Sequence, residues 1–181
     1  MSRLLSVIDG ISQIEELSRA LNSDRNAAIE ICNHMEKYHL TNPRTYSFSG
    51  DVCDPPHPTV KNDQKAMCSF SKQVGTATGC VGILMYDITS GSQVLHRLAI
   101  MFSVPFDYNL YENWFALGIF PKDQACDHDL YNLMYYKEAK SFTRGKAAGG
   151  NMLKHGESQI EVKGTMSNKG SAILKIEMHE T

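Results

Sequence analysis

No stretch of eighteen apolar residues occurs anywhere in the 181 residues. That excludes a conventional transmembrane helix, which needs about 20 of them to cross roughly 30 Å of hydrocarbon. A run of five basic residues is also missing, and the net charge is −2 with a pI near 6.4. Nothing global therefore favours a nucleic-acid partner. There is no nucleophile elbow, zinc-ligand signature or phosphate-binding glycine loop, so the chain does not read as an enzyme and implies no cofactor. Internal repeats and low-complexity linkers are absent as well. A single domain spanning 1–181 is the expectation, with chain enough for a substantial core.

The N-terminus, Met-Ser-Arg-Leu-Leu-Ser-Val-Ile-Asp-Gly, holds one basic residue and a short apolar run that Asp9 interrupts. It is too short and too polar for a signal peptide. The chain reads as cytosolic or unconventionally secreted, becoming membrane-associated on a target. The five cysteines form an odd set without paired spacing, as expected of reduced structural thiols. Cys53 with His57, and Asp127-His128-Asp129, lack a completed ligand set and read as surface polar residues rather than a metal site.

What is present is a patterned N-terminus followed by β-rich text. Over residues 3–22, Leu4, Val7, Ile8, Ile11, Ile14, Leu17 and Leu21 recur at helical spacing on one face. Asp9, Ser12, Gln13, Glu16 and Arg19 take the other. A helix of that length spans roughly 30 Å, so it would reach across a bilayer. It would suit either a surface helix burying one stripe or, in several copies, the lining of a water-filled pore. Propensity alone would carry a helix on through Asn26–Ile31. Ala66–Val74, Val81–Ile88, Val94–Val104 and Asn113–Phe120 read as strands. Ile160–Met166 and Ala172–Met178 alternate apolar and polar around the turn Ser167-Asn168-Lys169-Gly170, with Ile173 the exception. Pro43, Gly50, Pro55, Pro56 and Pro58 mark loops. Asp127–Lys137 is a second helix, with Leu130, Leu133 and Met134 as its apolar stripe and Tyr131 and Tyr135 four apart on another face. The expected fold is mainly β: a β-sandwich flanked by two α-helices, the N-terminal one amphipathic.

Ten of the sixteen aromatic residues (one tryptophan, eight tyrosines, seven phenylalanines) lie between Phe102 and Tyr136. The stretch Phe-Ser-Val-Pro-Phe-Asp-Tyr-Asn-Leu-Tyr-Glu-Asn-Trp-Phe, residues 102–115, is expected to leave its strand at Pro105. It then places Phe106, Tyr108, Tyr111, Trp114 and Phe115 on a loop near water. Tyrosine and tryptophan favour such half-wet sites.

This stretch resembles the membrane-docking loop of the actinoporins, the pore-forming toxins of sea anemones, and of their relatives in fish, molluscs and mosses. The resemblance continues through "ATGCVGILMYD", "DLYNLMYY" and "VKGTMSNKGSAILKIEM". It covers roughly residues 25–178, and it implies a strand rather than a helix after residue 25. It also implies a pocket for phosphocholine, the sphingomyelin headgroup. Ser49, Val81, Ser103, Pro105, Tyr111, Tyr131, Tyr135 and Tyr136 match the pocket positions. Tyr108 and Trp114 match membrane-contact aromatics. Leu110 takes a contact position where the anemone proteins carry Trp. Phe115 replaces a second Trp, Phe48 replaces an Arg beside Ser49, and Arg144-Gly145-Lys146 replaces Arg-Gly-Asp. Aromatic faces attract a quaternary ammonium, while loss of the Arg removes a good phosphate partner.

The resemblance implies membrane lipids as partner, a homo-oligomer on the membrane, and a cation-conducting pore lined by Asp9, Gln13 and Glu16. A headgroup- or carbohydrate-binding lectin-like module that makes no pore is the alternative.

Overall fold

The computed structural model describes residues 12–181. Helix α1 (Gln13–Ala20) is followed by strands β1 (Asn26–Asn33), β2 (His39–Ser49), β3 (Asp51–Asp54), β4 (Thr59–Val60) and β5 (Gln64–Ser71). Next come β6 (Cys80–Ser90), β7 (Gln93–Val104), β8 (Trp114–Pro121) and helix α2 (His128–Tyr136). Strands β9 (Phe142–Lys146), β10 (Leu153–Glu157), β11 (Ile160–Met166) and β12 (Ser171–Glu180) complete the order. Two six-stranded sheets form the expected sandwich, one ordered β10-β11-β12-β1-β5-β3 and the other β4-β2-β6-β7-β8-β9.

The alternation in β11 and β12 does what it predicts. Ile160, Val162, Ala172, Leu174, Ile176 and Met178 turn inward and join the core between the sheets. Over residues 81–86 strand β6 has no polar face, because its inward residues Leu84 and Tyr86 meet the other sheet while Val81, Ile83 and Met85 lie under α2 with Leu130, Tyr131 and Met134. A strand covered on both faces reads as one apolar run. Residues 26–33 are a strand, not the helix that propensity suggests. Ala27, Ile29 and Ile31 alternate into the core, and pairing on both sides, parallel to β12 and antiparallel to β5, overrides local preference.

Three expectations need correction. The N-terminal helix does not run unbroken from 3 to 22. Ser12 has extended backbone (φ −73°, ψ 158°), and its hydroxyl accepts from the Glu15 N–H, so the helix starts at Gln13. Ser-x-x-Glu is a helix-start signature. Asp9 and the first part of the apolar stripe lie outside the described residues. Pro43 is not in a loop but inside β2, where pairing with β6 slips between Thr41 and Arg44 and Asn42 has φ 52°. A bulge tolerates a residue with no N–H. Trp114 and Phe115 belong to β8, and Phe115 is fully buried in the core. The short strands β3, β4, β9 and β10 carried no pattern long enough to predict.

Helix α1 packs on the outer face of the first sheet against β1, β12 and β5. It buries Ile14 and Ser18, with Leu21 just beyond its end, and leaves Glu16 exposed. No described helix is long and apolar enough to cross a membrane.

Candidate functional site

At one end of the second sheet, neighbouring strands bring Ser49, Val81, Ser103, Trp114 and Lys146 into a single lateral row. Ser49 pairs with Val81, Val81 with Ser103, Ser103 with Trp114, and Trp114 with Lys146. Positions up to 97 residues apart thus meet because the register is fixed by which face is buried.

Helix α2 lies over this row. Asp127 caps it, its carboxylate accepting from the Leu130 N–H at 3.0 Å. The run Asp127-His128-Asp129 is therefore a helix start, and His128 Nδ1 bonds the Tyr46 hydroxyl at 2.9 Å. The far end is held by Arg144, which donates to the carbonyls of Met134 and Lys137 and to the Glu138 carboxylate. A guanidinium at a helix C-terminus satisfies carbonyls that have no partner in the helix. This fixes Tyr135 and Tyr136. The sequence offered no signal for that role of Arg144.

The tyrosines form a chain of rings. Tyr131 stacks on Tyr135 at 5.6 Å, and Tyr135 meets Tyr136 edge-on at 4.7 Å. Tyr131 is only 4% exposed. Phe48, in the place of the family's Arg, stacks on it at 4.7 Å. Burial pushes the Tyr131 phenol well above its usual range, and the phenols of Tyr136 and Tyr135 add to that. Burial also raises Tyr135, Tyr136 adds to it, and the Ser103 hydroxyl beside it works the other way. Tyr111 is among the groups that raise Tyr135. On the helix Tyr136 is 67% exposed, and on the loop Tyr111 is 59% exposed.

The loop after β7 is built to hold its shape. The Asp107 carboxylate accepts from the Asn109 N–H, and its carbonyl accepts from Leu110 and Tyr111. Arg25 donates to the carbonyls of Pro105 and Phe106, and its guanidinium sits 4.6 Å from the Tyr108 ring centre. The Tyr108 hydroxyl donates to Asn113. Asn113, fully buried, in turn donates to the carbonyls of Ser167 and Lys169 in the β11–β12 turn. Arg25 and Asn113 were missed by sequence reasoning, because both act across long sequence distances. Tyr108 thus faces its own supports and lines a recess of about 550 Å³ with Tyr111, Glu112, Asn168, Lys169 and Gly170. Leu110 projects most, at 73% exposed. Trp114 is half-buried, with the Lys146 ammonium 5.4 Å from its ring.

Of the residues expected in the pocket, Ser49, Val81, Ser103, Tyr111, Tyr131, Tyr135 and Tyr136 converge on this end. Pro105 ends β7 there with its carbonyl held by Arg25.

The comparisons with known proteins agree with this architecture. Residues 5–180 match the family model described as sea anemone cytotoxic protein. DELTA-actitoxin-Ucs1a of Urticina crassicornis is 35% identical over 156 residues, covering 84% of this chain and 66% of that protein. The chain thus spans about two thirds of that relative's length. DELTA-actitoxin-Afr1c of Actinia fragacea is 31% identical over 183 residues, covering 97% of this chain and 96% of its own. The crystal structure of the lipid binding protein Nakanori superimposes with a TM-score of 0.71 at 13% identity, covering 91% of this chain and 76% of that one, which is a likeness of fold. These relatives are named as toxins, in keeping with the reading of the chain as no enzyme. With a family model matching nearly its whole length, the chain belongs to the sea anemone cytotoxic proteins, the actinoporins.

Proposed function

We propose that the protein docks on membranes carrying phosphocholine headgroups, sphingomyelin foremost, assembles there as a homo-oligomer, and inserts its N-terminal segment to form a cation-conducting pore. The observation that carries the docking is the exposed aromatic and apolar surface of Leu110, Tyr111 and Tyr136 on a braced loop and a capped helix. Rigid presentation lowers the ordering entropy lost on binding.

Tyr135, Tyr136 and Tyr111 supply the accessible ring faces for the quaternary ammonium. Tyr131, stacked against Phe48 and Tyr135, supports them from behind. The hydroxyls of Ser103 and Ser49 suit the phosphate, although Ser49 also donates to the Gly79 carbonyl at 3.1 Å. In the pore, residues 3–22 turn their apolar stripe to lipid and Asp9, Gln13 and Glu16 to water. A helix can make this crossing because its backbone groups are satisfied internally. Rings of Asp9 and Glu16 favour cations.

Vesicles differing only in sphingomyelin content test the reading, with binding and dye leakage measured together. Binding and leakage should both rise with sphingomyelin, and the reversal potential in a salt gradient should show cation preference. Binding without leakage would support the lectin-like module instead. An anion-selective pore would reject the facing of Asp9 and Glu16. Soluble phosphocholine should raise the melting temperature, since a ligand that binds only the folded state stabilises it, and should shift the ring resonances of Tyr135 and Tyr136. If neither moves at millimolar ligand, the tyrosine pocket is misassigned.

A further inference from the structure

On the outer face of the first sheet, at the end away from α1, the parallel pair β1 and β12 places two histidines side by side. Asn33 pairs with Met178, and the His34 N–H donates to the Met178 carbonyl at 2.9 Å, so His34 and His179 follow in step. Their rings stack at 4.8 Å with 20° between planes. Glu177, two residues before His179 and hence on the same face, puts its Oε1 2.8 Å from His179 Nε2 and 3.9 Å from His34 Nε2. Among the described residues, these three ligating atoms lie within 4.8 Å of one another.

Two imidazoles and one carboxylate make a donor set that holds zinc with a further position open to water. Donors about 2.0–2.2 Å from a tetrahedral metal lie roughly 3.3–3.6 Å apart, so the Glu177–His179 pair, at 2.8 Å, must part and the His34–Glu177 pair, at 3.9 Å, must close. The ring stack must open so that both nitrogens point at the metal, on a face where His34 and Glu177 are exposed.

We propose that His34, Glu177 and His179 form a site for one divalent transition-metal cation of the class that imidazole and carboxylate bind together, Zn²⁺ being the natural probe. The site clips β12 to β1. Its neighbours fit that role. Lys163, paired with Glu177 across β11–β12, lies within 3.9 Å of Glu161, which also pairs with Lys154. Cys32, opposite Glu177, turns its sulfur toward Glu30, 3.9 Å away, and Lys65 pairs with Glu30. These charges are thus largely matched among themselves, and the histidine pair is left facing Glu177.

Calorimetric titration with Zn²⁺ tests the site, in a Cys53→Ser background because the Cys53 thiol is exposed and would bind the metal independently. One equivalent should bind per chain and raise the melting temperature, and chelation should reverse the rise. His34→Ala with His179→Ala should weaken that binding by more than the roughly 10–100-fold that losing an outer-shell partner costs. Glu177→Gln, which keeps the shape and removes the charge, should weaken it as well. Cys32→Ser should leave it unchanged. Absence of wild-type binding, or equal affinity in the double histidine variant, overturns the site. Loss of binding in Cys32→Ser overturns the three-ligand set.

Discussion

A disulfide that ties α1 to β12 is expected to abolish vesicle leakage while leaving membrane binding at the wild-type level. Helix α1 covers eight residues, about 12 Å of helix, against roughly 30 Å of hydrocarbon. As folded, it cannot cross. A pore therefore requires α1 to leave the sheet and to continue through Ser12 into the preceding residues. Leaving exposes Ile14, which is fully buried, and forfeits about 1.5–3 kcal/mol. Continuing through Ser12 breaks a cap worth about 1 kcal/mol. Both are small enough for a membrane to offset, whereas a covalent tie is not. Ser18 and Ser171 line one crevice between helix and strand, so Ser18→Cys with Ser171→Cys is the pair of choice, again with Cys53→Ser. Mass spectrometry verifies the bridge, and reduction should restore leakage. Full leakage from the oxidised protein would refute insertion of this segment.

Replacing both Leu110 and Tyr111 with Ala is expected to weaken partitioning onto sphingomyelin vesicles by about 100-fold. Each side chain is mostly exposed in solution, so its transfer into the interface is nearly all gain. Together they forfeit about 3 kcal/mol of apolar burial, and every 1.4 kcal/mol is tenfold. Neither supports the core, so the melting temperature should hold. Trp114 makes a poorer target than the sequence implies, because it is a half-buried strand residue under Lys146 and its loss mixes folding with binding. Its fluorescence is better used to follow docking. Partitioning unchanged in a folded double variant would remove this loop from the docking surface.

The layers and the long strands were legible because burial on one face writes a period into the sequence, most clearly in Ile160–Met166. The aromatic surface was legible as a cluster, and the two tyrosines four apart marked its helix face. Its supports were not. Arg25, Asn113 and Arg144 act through single side chains on distant backbone, which leaves no period to read. The break at Ser12 was available in Ser12-x-x-Glu15 but lost beneath a longer apolar stripe. Residues 26–31 show the converse limit. Their composition favours a helix locally, and only partners far along the chain make them a strand.

The parallel pairing of β1 with β12 also constrains how the molecule is made. Asn26 and Ser171, 145 positions apart, meet at the start of that ladder. β1 is an interior strand of its sheet, so on the ribosome it waits with one edge unpaired until β12 emerges. A contact that distant is slow to form, since its loop-closure entropy is lost before any pairing compensates. Nascent chains halted before residue 171 should therefore be cut by protease within β1, and release of the full chain should bring protection of β1 and β12 in a single step. Early protection of β1 in the halted chains would show that β5 alone holds it.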